Sequence, residues 1–207
     1  MDPKAFRDPP KQFRPAPFWS WNDDLQNDEL EWQVRDMKDK GFGGYFMHSR
    51  EGLITEYLSD AWMDRVATCI RVGKEVDMES WLYDEDRWPR GFAGGFVPAR
   101  NPEYRACGLK AAKVEPSEAA AASAQPGTVT MLVVRRGADG SVMEAGTFRP
   151  GRKDAETAEI WRFYYERQPD TNRFNGQAYV DLLNPEVTEA FLESTHDAYH
   201  KLFGKDF

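Results

Sequence analysis

Two cysteines in 207 residues are too few for a disulfide framework, and Cys69 and Cys107 lie in different segments with no CxxC pair to hold a metal. Both read as small core residues. No apolar stretch approaches the length that crosses a bilayer, and the N-terminal "MDPKAFRDPPKQFRPAPF" lacks a signal core. The chain therefore reads as soluble and cytoplasmic, with no membrane partner. Basic runs are missing too: 27 Lys and Arg stand against 35 Asp and Glu, a net charge of -8 with both signs spread along the chain. No nucleic acid partner is expected from that balance. No internal repeat occurs, and the Ala/Ser-rich "EPSEAAAASAQPG" reads as a mobile surface loop.

What is present is a core of ordinary size, 41% hydrophobic and 14% aromatic. "APFWSWN" is a short aromatic strand, followed over 24–40 by Leu25, Leu30, Val34 and Met37 at helical spacing and closed by Gly41. "GGYFMHSR" is a second strand. Ser59 opens a second helix with Trp62, Val66, Ile70 and Gly73 on one side, and "MESWLYDED" is the third strand. From about residue 104 the period changes. "TVTMLVVRR", "SVMEAGTF" and "EIWRFYYERQ" alternate as antiparallel strands, with a turn at "GADG". "GQAYVDLLN" then restores the earlier rhythm, and a helix starting at Pro185 runs to about Phe203.

Strand and helix in alternation predict an α/β fold around a parallel sheet, with ligands at the C-terminal strand ends. The expected architecture is a partial (β/α)8 TIM-type barrel of about four βα units. Three units fall in residues 1–103, an antiparallel β-subdomain is inserted at 104–178, and a fourth unit spans 179–207. Without the insertion about 130 residues remain, where a closed barrel takes roughly 250. The chain is accordingly expected to be the N-terminal part of a longer protein.

The motifs "PAPFWSWND", "GFGGYFMHSREGL", "YLSDAWM", "WLYDEDRWPRGFAGG", "NPEYRA", "NGQAYVDLLNPEV" and "FLESTHDAYHKLFGKDF" resemble the N-terminal catalytic-barrel region of large bacterial glycoside hydrolases of the α-L-rhamnosidase (family 106-like) type. The likeness spans nearly all of the chain except the β-insertion. It implies a (β/α)8 barrel acting on glycosidic bonds, a carbohydrate substrate, and a second acidic motif on a strand beyond residue 207.

Chemistry points the same way. Glycosidic cleavage needs two carboxyl groups flanking the bond, one protonated and one ionised. Asp84, Glu85 and Asp86 are adjacent candidates at the end of the third strand; which is acid, base or hydroxyl ligand stays open. Arg87 is a charge partner for them and Trp88 an apolar platform for a sugar ring. His48 and Arg50 share a face at the end of the second strand, where they either bind sugar hydroxyls or pair with the acids. Trp21 and Asn22 end the first strand on opposite faces, and Asp181 is the fourth strand's acid; each is a candidate substrate contact. Oxygen-rich loops in sugar enzymes often hold calcium, yet no twelve-residue loop pattern occurs, and no cofactor is claimed.

"HDAYH" at 196–200 has the spacing of a zinc-peptidase helix. Asp197 is one methylene too short, no third ligand follows, and the helix is expected in the outer ring, away from the strand ends. Three readings remain: a hydrolase completed by downstream residues, a non-catalytic carbohydrate-binding module, and a homodimer in which half-barrels pair through an open strand edge.

Overall fold

The computed structural model describes residues 3–151 and 158–206. The chain divides into two compact units, Met1–Tyr104 with Asp170–Phe207, and Arg105–Pro169.

The first unit opens with a short helix α1 (Pro3–Arg7), then β1 (Phe18–Trp21), α2 (Asn27–Asp39), β2 (Gly44–Ser49), α3 (Asp60–Glu75), β3 (Glu79–Leu82) and α4 (Phe96–Arg100). The three strands are parallel in the order β1-β2-β3, because each connection carries a helix long enough to return the chain to the same end. Gly41, at φ 89°, turns the chain out of α2, and the Ser59 hydroxyl caps α3 by accepting the Trp62 amide at 3.2 Å.

Strand alternation then sorts the side chains. Trp19 and Trp21, Tyr45 and Met47, and Leu82 face the helices and form one core with Leu30, Val34, Trp62, Val66 and Cys69. Phe18, Phe46 and Trp81 face the other way in neighbouring registers, and Phe18 and Trp81 are about half exposed.

The helix–sheet contact is close enough to require a glycine. A Cβ on Gly73 would lie 2.5 Å from the Ser80 hydroxyl and 2.6 Å from that of Tyr45. Those hydroxyls bond each other at 2.8 Å, and Tyr45 also donates to the Cys69 carbonyl at 2.7 Å. Helix propensity alone would make Gly73→Ala stabilising by about 1 kcal/mol. Overpacking on a rigid phenol outweighs it, and chemical denaturation is expected to show a net loss of about 2 kcal/mol. An unchanged or raised midpoint would refute that reading.

The second unit holds β4 (Cys107–Val114), α5 (Ala119–Ser123), β5 (Thr128–Arg136), β6 (Val142–Thr147) and β7 (Glu159–Arg167), an antiparallel sheet in the order β4-β7-β5-β6. The Ala/Ser-rich segment expected as a mobile loop contains α5 instead. Ala119 and Ala122 are buried with Met131 and Ile160, since alanine pairs high helix propensity with a side chain small enough for close packing. Cys107, expected in the core, is exposed at the start of β4.

The chain returns to the first unit with α6 (Pro185–Ser194) and α7 (His196–Phe203), two helices where the sequence predicts one. The buried Thr195, at φ −111° and ψ −70°, separates them, and its hydroxyl donates to the Phe191 carbonyl at 2.8 Å.

The barrel expectation fails. Three strands, not four, are parallel; the two sheets are separate and neither is closed. The segment 176–184 is not a strand of the parallel sheet. Ala178 and Val180 are both buried, and Val180 belongs to a second cluster with Phe92, Val97 and Val187. Asp181, expected as a substrate contact, accepts the Leu183 amide at 3.1 Å in the turn that leads into α6. Extended chain lying over a core has the same two-residue apolar period as a paired strand, and nothing in the pattern separates them. Among the described residues, no helix is long and apolar enough to cross a membrane.

Candidate functional site

The three adjacent carboxylates after β3 go to three different places. Regular pairing ends at Leu82, and one further bond, from the Tyr83 amide to the Met47 carbonyl at 3.3 Å, carries the chain to Asp84.

Asp84 points into a cleft of about 770 Å3, within the range of small-molecule sites. Its Oδ2 is 3.0 Å from His196 Nε2 and its Oδ1 is 3.3 Å from Arg90 Nε. A carboxylate only accepts, so the proton of that bond sits on Nε2 of His196. The rings of Phe18, Phe46 and Tyr83 form an apolar wall of the cleft, and Asp197 and His200 line it as well. Arg90 also lies 5.9 Å from the Tyr83 ring centre.

The helix carrying "HDAYH" is thus at the strand end, contrary to expectation. His196 is a site residue that the sequence reading set aside. Among the described residues, no three His, Cys, Asp or Glu side chains gather as a metal would need.

Glu85 is fully buried and accepts four backbone amides. Oε1 takes those of Asp86 and Gly94 at 2.8 and 2.7 Å, and Oε2 those of Gly91 and Ala93 at 2.9 and 2.8 Å. The chain curls around the carboxylate with Gly91, Gly94 and Gly95 all at positive φ, a conformation that glycine enters at little cost. Burial pushes the Glu85 carboxyl up to about 7, against the pull of the four amides. With its acceptor positions filled by main chain, Glu85 organises the loop and has no edge to offer a substrate.

Asp86 is nearly buried beneath the next residue. Its Oδ1 accepts the Ser49 hydroxyl at 2.5 Å, and its Oδ2 accepts Asn175 Nδ2 at 2.8 Å and Arg87 Nε at 3.1 Å. These bonds hold Arg87 at a second cavity, of about 490 Å3, lined by Arg50, Arg87, Trp88 and Arg173. Arg50, Arg87 and Trp88, separate candidates in the sequence, therefore converge.

Other candidates lie elsewhere. Trp21 is buried in the core, edge-on to Trp19 and Trp62 at 5.3 and 5.0 Å, so it offers no face to a ligand. Asn22 is exposed just after β1 and lines neither cleft. His48 is 1% exposed between the rings of Phe18 and Tyr83, at 4.1 and 4.3 Å, and neither of its nitrogens has a hydrogen-bond partner. Burial first, and then the charge of Arg50, lower its pKa to about 4 against the opposing effect of Asp86.

No family model matches the chain, and no curated protein matches it. Among solved structures it is similar to the rhamnosidase from Novosphingobium sp. PP1Y, at 18% identity over 68% of this chain and 17% of that one, with a TM-score of 0.43. A likeness at that level assigns neither fold nor activity.

Proposed function

We propose that the chain binds a saccharide in the Asp84 cleft and takes part in the hydrolysis of a glycosidic bond there. The observation that carries this reading is the pairing in one cleft of a carboxylate oriented by His196 and Arg90 with a wall of three aromatic rings. Sugar rings present an apolar C–H face and a polar hydroxyl rim, and such a cleft meets both.

Of the three acids, Asp84 is the one that lines the aromatic cleft, and in this reading it reacts. It attacks the anomeric carbon or takes a proton from the water that does, while the His196 N–H fixes the orientation of its Oδ2. Cleavage also needs a proton for the departing oxygen. Asp197, which lines the same cleft, is the group assigned to that role.

Asp84→Asn is the test. Against a panel of aryl glycosides headed by α-L-rhamnosides, chosen because of the motif resemblance, it is expected to lower turnover by about 100-fold or more. Stability should change by less than about 1 kcal/mol, since the pairs it breaks are partly exposed. A variant as active as the parent would sink the hydrolytic reading. A non-catalytic binding role is the second reading, favoured by the engagement of both Asp84 oxygens with side chains; saturable binding with no turnover at any pH would establish it.

A further inference from the structure

The second cavity has a different chemistry. Arg50 stands just past the end of β2, Arg87 and Trp88 in the loop after β3, and Asn172 and Arg173 in the turn at Asn172–Phe174. Three arginines from three separate segments line the cavity, and Glu51 is the one carboxylate in the lining. That is a net positive pocket on a chain whose net charge is -8.

Cations brought together repel one another, and a chain with 35 acidic residues has ample means of pairing them. Among the described residues, neither Arg50 nor Arg173 has a carboxylate partner. Arg87 is paired with Asp86 through Nε, which leaves its terminal nitrogens for a ligand. Beside them the Trp88 indole is 66% exposed, with the Arg173 guanidinium 5.9 Å from its ring centre.

We infer that this pocket binds the carboxylate of an acidic saccharide, with the ring stacked on Trp88. Guanidinium forks match a planar carboxylate in two bonds at once, and an indole takes the C–H face of a pyranose. A bare inorganic anion would leave the indole unused; a neutral sugar would leave the arginines unused. A polynucleotide, which also joins phosphate to flat rings, is disfavoured by the charge of the rest of the molecule. The inference rests on the saccharide reading above and adds the class of sugar.

The test is calorimetric titration of the full chain at low salt with a hexuronate trisaccharide, its methyl ester, a neutral hexose trisaccharide and a thymidylate oligonucleotide. The ester keeps the rings and removes the charge. The acid is expected to bind about tenfold more tightly than the ester, the worth of one or two charge-assisted hydrogen bonds. The double variant Arg50→Gln, Arg173→Gln, both exposed positions, should fold normally by its thermal melt and lose that preference. Equal binding of acid and ester would overturn the anion site and leave the saccharide reading intact. No binding of any saccharide would overturn both. A preference that survives in the double variant, or tighter binding of the oligonucleotide through the same arginines, would also overturn the inference.

Discussion

Glu85→Ala is expected to lower the unfolding free energy by about 4 kcal/mol, the largest loss of any single change at the acidic triplet. Four backbone amides lose their acceptor at once, each worth about 1 kcal/mol net, and three of the four bonds are buried. Glu85→Gln keeps one oxygen and turns an amide group toward the other two donors, so about half of that loss is expected. Urea denaturation at pH 8, above the range in which Glu85 titrates, is the measurement. A loss under about 1 kcal/mol for the Ala variant would contradict the loop-organising role assigned to Glu85. The consequence reaches the cleft, because Arg90 belongs to the same loop and holds Asp84 from its far end.

His48 should give the chain an acid-labile term of about 3 kcal/mol. Its pKa is lowered from 6.5 to about 4, so between those values the unfolded chain binds one more proton than the folded one. Stability from this group is complete above pH 6.5 and is lost as pH falls toward 4. Glu85 acts with the opposite sign. Its carboxyl is raised from 4.5 to about 7, and its term fades as pH rises through that window. A difference between two proteins that both contain Glu85 removes that term. The stability of His48→Leu relative to the parent is therefore expected to improve by about 3 kcal/mol on going from pH 7 to pH 4. A pH-independent difference would mean that His48 is protonated in the folded chain as readily as in the unfolded one.

The parts of the fold that could be read in advance are those set by local pattern. Ser59 before an apolar helical stripe, Gly41 after one, and the alternation in "GGYFMHSR" each mark an element that forms with shifts of one to three residues at its ends. The failures lie where pattern underdetermines partners. Ala178 and Val180 alternate like a strand and are both buried, yet Val180 packs in the cluster of Phe92 and Val97, and the fourth parallel strand that the rhythm implies does not form.

The site was legible in part for the same reason. Arg50, Arg87 and Trp88 were found as residue types at strand ends, and their convergence with Arg173 joins segments far apart in the chain. The spacing of His196 and His200 speaks only to a zinc site or to an exposed or capping role, and the partner that places His196 at the site, Asp84, lies 112 positions away. The loop around Glu85 does carry a signal in its sequence. Gly91, Gly94 and Gly95 follow a carboxylate within ten residues, a composition that lets main chain fold around an anion.

The central claim is that the cleft beside Asp84 holds a saccharide, and an amide-detected NMR titration of the full chain with an oligosaccharide panel tests it most directly. Saturable shifts at Tyr83, Asp84, Arg90 and His196, reduced in Asp84→Asn, are the predicted result. Saturable binding with shifts confined to residues outside that cleft, or no binding by any sugar of the panel, would contradict it.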